Sequence, residues 1–107
     1  MNKEIAIIGV NGKMGKWFAD YFHKIGFEVK GFDTNNEIKE KFIIKAKSLV
    51  GAILQMDYVL LCTPTKNTPE IIRLIAKEMK RGSYLIEISS QKSKTALTLL
   101  KTPSKVN

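Results

Sequence analysis

Cysteine is nearly absent from this 107-residue sequence. Cys62 stands alone, so no internal disulfide can form, and a reducing cytoplasm is the simplest setting. No apolar run approaches the ~20 residues that cross a bilayer, so no membrane partner is expected. Residues 1–4 lead straight into an apolar stretch, and no signal peptide is expected. Histidine also occurs once, as His23, in the second half of an expected helix, where a surface or helix-end side chain fits better than a catalytic one. Acidic side chains number 10 against 18 basic ones, a net charge of +8. The lysines are spread along the chain and form no basic block interleaved with aromatics. A solvated lysine-rich surface therefore explains them more simply than a nucleic-acid partner. Internal repeats, low-complexity segments and metal-ligand clusters are missing too. What is left, 44% hydrophobic and 26% charged residues, is the composition of one globular domain. It is long enough for a core and short for a two-substrate enzyme.

The densest signal is Ile5-Ala6-Ile7-Ile8-Gly9-Val10-Asn11-Gly12-Lys13-Met14-Gly15. Its β-branched start suits a strand buried on both faces of a parallel sheet, and a helical pattern begins at Lys13. Strand, glycine turn and helix form the setting in which a dinucleotide pyrophosphate meets a helix N-terminus. Gly9 is expected to turn the strand, Gly12 to let backbone approach phosphate, and Gly15 to let the helix pack close to the sheet. The spacing departs from G-x-G-x-x-G, because Val10 occupies the place of the first glycine. Gly9, Val10, Asn11, Gly12, Lys13 and Met14 are the expected pyrophosphate-binding residues; a turn without a ligand is the simpler alternative.

The first helix is expected over residues 13–25, with Met14, Phe18, Tyr21, Phe22 and Ile25 as its buried stripe, Trp17 at the edge and Gly26 as the cap. Residues 28–33 read as the second strand. Asp33 falls at its C-terminal end, 18 positions after Gly15, where a carboxylate accepts hydrogen bonds from ribose hydroxyls. It is followed by Thr34 and by no arginine, which favours NAD over NADP. Residues 42–46 read as a short third strand and residues 48–54 as a small helix capped by Ser48, with one continuous helix over residues 37–55 as the alternative. Residues 58–62 form the next buried strand and end in Cys62, Thr63 and Pro64, again where a ligand would lie. Thr63 offers a hydroxyl towards a cofactor ribose, and Cys62 reads as a packed thiol of unlowered pKa. Thr68-Pro69-Glu70 starts a helix with Ile71, Ile72, Leu74, Ile75 and Met79 buried and Gly82 at its end. Residues 84–88 form a strand in which Glu87 needs a partner or an exposed position. Residues 93–100 read as a final helix. The alternation predicts a doubly wound α/β parallel sheet of strand order 3-2-1-4-5.

The pieces Ile7-Ile8-Gly9-Val10-Asn11-Gly12-Lys13-Met14-Gly15, Gly31-Phe32-Asp33, Asp57-Tyr58-Val59-Leu60-Leu61-Cys62-Thr63-Pro64 and Glu87-Ile88-Ser89-Ser90-Gln91-Lys92 together resemble the N-terminal nucleotide-binding domain of prephenate dehydrogenases, especially the archaeal type. The resemblance covers nearly the whole chain and implies a Rossmann-type domain over residues 1–107. It also implies NAD or NADP as hydride acceptor in the oxidative decarboxylation of prephenate, a small-molecule substrate on the route to tyrosine. It places Ser90 near the substrate hydroxyl and the nicotinamide. The family's catalytic histidine lies in a His-Pro motif that this sequence does not contain, and the helical domain that completes the substrate pocket and the usual homodimer is also missing. The resemblance thus implies a cofactor domain that stops before its catalytic histidine and is inactive alone. Another dehydrogenase of the superfamily, acting on a hydroxyacid, imine or deazaflavin, and a freestanding NAD-sensing module are the alternatives.

Overall fold

The computed structural model describes residues 3–35, 37–62, 68–91 and 94–100. In chain order the elements are β1 (Glu4–Ile8), α1 (Lys13–Lys24), β2 (Glu28–Phe32), β3 (Ile43–Lys45), α2 (Leu49–Ile53), β4 (Tyr58–Leu61), α3 (Thr68–Ala76), β5 (Tyr84–Gln91) and β6 (Lys94–Leu100). They build one sheet of order β3-β2-β1-β4-β5-β6. Its first five strands are parallel, in the expected order 3-2-1-4-5. β1 lies at the centre, Ile7 level with Gly31 of β2 on one side and Leu60 of β4 on the other.

Both faces of β1 are covered, which is why its sequence does not alternate. Ile5 and Ile7 point into the layer shared with α1, where Val29, Leu60 and Ala19 meet Phe18 and Phe22. Ala6 and Ile8 point the other way, against Ala52 and Ile53 of α2 and Ile75 of α3. The short helix α2 is held at its start by Ser48, whose Oγ accepts from the Gly51 amide at 3.0 Å. The continuous helix over residues 37–55 is thereby excluded.

α1 ends in a Schellman motif. The Phe27 amide donates to Phe22 O at 2.9 Å and the Gly26 amide to His23 O at 3.1 Å, with Gly26 at φ 99°. The Phe22 and Phe27 rings meet edge to face at 5.0 Å across it. The fully buried residues of α1 are Gly15 and Ala19, flanked by half-buried Met14, Phe18 and Phe22. Tyr21 and Ile25, expected in the stripe, are 45% and 52% exposed. Small residues let α1 approach the sheet closely, so the large ones splay to either side of the contact line. Leu74, expected inside, is likewise exposed, while Ile75 and Met79 are buried. Glu87 takes a half-exposed position beside Leu61.

Residues 94–100 differ from the helix expected there. They form β6, antiparallel to β5 from the Leu85–Leu100 pair to the Gln91–Lys94 pair. Thr95 and Thr98 suit a strand better than a helix, and pairing with β5 decides between the two.

At the N-terminal end of the sheet, Asp57 ties three strands and a loop together. Its Oδ1 accepts from Lys80 Nζ at 2.9 Å and its Oδ2 from the Glu4 amide at 3.1 Å, while its carbonyl accepts from the Tyr84 amide at 3.0 Å. The Lys80 hydrogen bond, then that of the Glu4 amide, holds the Asp57 carboxyl below its usual range. Among the described residues no helix is long and apolar enough to cross a membrane.

Candidate cofactor site

At the opposite end, where β1, β2 and β4 finish, the chain leaves a cleft of about 490 Å³. The glycine turn forms one wall. Gly9 adopts φ 85°, a region that favours glycine, and its amide donates to Phe32 O at 2.8 Å, locking the turn to the end of β2. Gly15 sits against the back of that turn. A Cβ there would lie 2.7 Å from Val10 Cα and 2.9 Å from Gly9 C, and would also overlap the Gly9 carbonyl oxygen. Gly12 is different. A Cβ there would meet Gly9 O at 3.5 Å, an ordinary contact, so the fold does not need glycine at this position.

Gly12 is the N-cap of α1 at φ −74° and ψ 168°, and it offers no side chain to the first turn. That turn carries no acidic residue either. The amides at the start of α1 and the positive end of its dipole are thus left for an external anion.

Asp33 follows β2 across the cleft. Its Oδ2 accepts from the Asn11 amide and its Oδ1 from the Asn35 amide, each at 2.9 Å. A carboxylate has about four acceptor sites, so two such bonds fix its direction and leave capacity for hydroxyl donors. The Asn11 side chain crosses the same gap, its Nδ2 donating to Asn35 O at 2.6 Å and to Glu37 O at 3.2 Å.

Of the residues expected from sequence, Gly9, Asn11, Gly12, Asp33, Thr34 and Cys62 line this one cleft. Val10 and Met14 do not turn side chains into it. Val10 is fully buried beneath the turn, and Met14 packs on the α1 face of the core. Lys13 is exposed at the head of α1. Lys13 and Met14 can reach a ligand through their first-turn amides, whereas the Val10 amide donates to Phe32 O at 3.3 Å. Thr63 and Pro64 lie outside the described residues. Ser90 lies in β5, paired with Thr95, beyond the point where β5 runs parallel to β4 and towards the cleft end of the sheet. His23 is far from the cleft, stacked on Phe42 at 4.2 Å. Burial pushes the Cys62 thiol up to about 12, so it offers no nucleophile at neutral pH.

Sequence reasoning missed the apolar walls. Ile8, Phe32, Leu49 and Ile71 line the cleft from four different elements or their ends. Each sat in a segment already accounted for by core packing, and only the sheet order brings them together. It also missed Gly31, where a Cβ would lie 2.7 Å from Ile43 Cγ2 and 2.9 Å from Val10 Cγ1. The missing side chain on β2 makes room for a valine where the usual fingerprint has glycine.

A glycine turn at the central strand, an uncapped helix start and a carboxylate fixed at the end of the neighbouring strand define a dinucleotide-binding domain. Comparison with known proteins says which kind: the chain belongs to the family described as the NAD binding domain of 6-phosphogluconate dehydrogenase, whose pattern spans residues 4–106. A probable arogenate/prephenate dehydrogenase of Methanocaldococcus jannaschii is 30% identical over 99 residues, which is 85% of this chain and 22% of that protein. Among solved structures, prephenate dehydrogenase from A. aeolicus with hydroxyphenyl propionate and NAD+ superposes with a TM-score of 0.71 at 22% identity, covering 88% of this chain and 36% of that one. NAD-dependent formate dehydrogenase from Staphylococcus aureus in complex with NAD gives 0.72 at 22% identity, covering 83% and 27%. The chain therefore spans about a fifth to a third of these proteins' length. It is an NAD-binding domain of a dehydrogenase family, and the residues present fit that cofactor: open amides for phosphate, a fixed carboxylate for ribose and apolar walls beside them.

Proposed function

We propose that this chain is the cofactor domain of a prephenate dehydrogenase-type oxidoreductase. The observation that carries the reading is the pairing of the Asp33 carboxylate with the glycine turn across one cleft. The 30% identity to an arogenate/prephenate dehydrogenase supports the substrate class. The first-turn amides at Lys13 and Met14 hold the pyrophosphate, and Gly9 and Gly12 shape the turn that lets it approach. Asp33 accepts from the adenosine ribose hydroxyls, and its charge disfavours a 2′-phosphate. Phe32, Leu49 and Ile71 give the apolar surface that a purine base needs. Thr34 and Cys62 border the ribose and nicotinamide ends, and Thr63 and Pro64 are assigned to cofactor binding from the sequence alone. Bound NAD supplies the hydride acceptor.

Ser90 orients the substrate hydroxyl. An unassisted serine is a poor base at neutral pH, and His23 is stacked on Phe42, so the proton acceptor is taken to be the histidine that the resemblance to prephenate dehydrogenases implies, outside these 107 residues. We assign that role, together with the substrate pocket and homodimer contacts, to a separate helical domain; residues 1–107 are the Rossmann domain alone. A second reading, a D-2-hydroxyacid dehydrogenase, draws on the Lactobacillus delbrueckii enzyme in its NAD-complexed form, 27% identical with a TM-score of 0.70.

The test is NADH appearance with prephenate, arogenate and a panel of D-2-hydroxyacids. It uses the 107-residue chain alone and a chimera joining it to the rest of the M. jannaschii protein. Turnover of prephenate or arogenate by the chimera, lowered by Ser90→Ala, supports the assignment. Turnover by the short chain at the chimera's rate, or of hydroxyacids alone, overturns it.

A further inference from the structure

We propose that Asn11 is a positioning residue: its side-chain amide straps the chain after β2 to the glycine turn and thereby enforces the choice of NAD over NADP. This rests on the cofactor-domain reading and adds a residue to it. Two groups of hydrogen bonds cross the same gap. The Asn11 backbone amide and the Asn35 backbone amide hold the two oxygens of Asp33 at 2.9 Å each. The Asn11 Nδ2 then holds the carbonyls of Asn35 and Glu37, at 2.6 and 3.2 Å. Both partners of the side chain are acceptors without a proton, so the face turned towards them must be the NH₂ and not the oxygen.

The consequence concerns specificity. A carboxylate discriminates against a 2′-phosphate only while it stays in place, because a carboxylate on a mobile loop can swing aside. Here the segment that supplies one of the two Asp33 donors, Asn35, is itself held by Asn11. Removing the strap frees Asn35, one of the two Asp33 donors; the carboxylate, then held by the Asn11 backbone amide alone, can swing, and both the repulsion and the ribose contacts weaken. Glu37 is part of the same arrangement, its amide donating to Asn35 Oδ1 at 3.3 Å.

The experiment is calorimetric titration of the 107-residue chain and its Asn11→Ala and Asn11→Asp variants with NAD, NADP and 5′-AMP, with a thermal melt of each variant. Aspartate has the shape of asparagine but turns an oxygen towards two carbonyls. A strap that works by donating predicts that Asn11→Asp is at least as damaging as Asn11→Ala. Both should lose about fivefold to tenfold in NAD and AMP affinity and narrow the NAD:NADP ratio by a similar factor. Amide hydrogen exchange at Asn35 and Glu37 should speed up in both, whatever the ligand. Wild-type affinity, ratio and exchange rates in a folded Asn11→Asp variant would overturn the strap. Should a variant fail to fold, exchange at Asn35 and Glu37 in the wild-type chain decides: amides no better protected than freely exposed ones contradict it. Failure of the wild-type chain to bind NAD would overturn the cofactor reading instead.

Discussion

Replacing Gly15 by alanine should destabilise the domain, whereas the same change at Gly12 should leave stability alone and damage cofactor binding. At Gly15 the added Cβ meets the backbone of the glycine turn, 2.7 Å from Val10 Cα and 2.9 Å from Gly9 C. Carbon atoms prefer roughly 3.5–4.0 Å, so α1 must retreat by about an ångström from the turn it packs on. Overpacking of this kind costs about 1–3 kcal/mol. Alanine returns up to about 1 kcal/mol through helix propensity, less in a first turn. The net loss of about 1–2 kcal/mol corresponds to a fall of roughly 5–15 °C in Tm for a domain of this size. At Gly12 the backbone (φ −74°, ψ 168°) suits any residue, and the nearest atom lies at 3.5 Å. Gly12→Ala should therefore stay within about 0.5 kcal/mol of wild type. The bulkier Gly12→Val should still fold but lose more than about tenfold in NAD affinity as its methyls enter the phosphate space. Thermal melts followed by circular dichroism and NAD calorimetry read both effects. An unchanged Tm for Gly15→Ala, or full NAD affinity in folded Gly12→Val, would refute the reasoning.

Asp33→Ala should narrow or reverse the preference for NAD over NADP, by on the order of tenfold, since it removes both ribose acceptor and repulsion; tighter binding of NADP by the wild-type chain would show the lysine-rich surface to be dominant. Asp57→Asn should lower Tm modestly at pH 7, by less than about 1 kcal/mol in stability because the ion pair is partly exposed. The Asp57 pKa is depressed on folding, so its contribution is present above the ordinary aspartate range and disappears as pH falls through the lower folded value. The Tm difference between wild type and variant should shrink over that acid range, and a difference independent of pH would contradict the ion-pair account. The Cys62 thiol, pushed up to about 12, should resist iodoacetamide at pH 8 in the native chain and react once the chain is unfolded in urea.

The sheet was largely readable because a strand buried on both faces has to be apolar throughout. β1 and β4 carry that signal, and the glycines between β1 and α1 carry the turn. Ser48 marked the start of α2 for the same reason that its side chain now accepts from Gly51. The packing of α1 was less readable. Hydrophobic spacing points to the large side chains, yet Gly15 and Ala19 form the contact line because close approach matters more there than area. β6 was misread because KTALTLL is compatible with either period, and strand pairing is a property of the partner. In the site, Asp33 and the turn were visible as separate signals. Their direct bond through the Asn11 amide joins residues 22 apart, and no local pattern encodes such a bond. The apolar walls at Phe32, Leu49 and Ile71 were hidden within core-forming segments, and the Asp57–Lys80 node looked like scattered surface charge.

The central claim is that NAD binds across the C-terminal ends of β1, β2 and β4. Amide chemical-shift mapping of the ¹⁵N-labelled chain during NAD titration tests it most directly. The account predicts saturable shifts at Gly9, Asn11, Gly12, Lys13, Met14, Asp33, Asn35 and Cys62, with Glu4, Glu28, Asp57 and Lys80 at the other end of the sheet unmoved. No shifts at millimolar NAD, or shifts centred on the Asp57–Lys80 end, would contradict it.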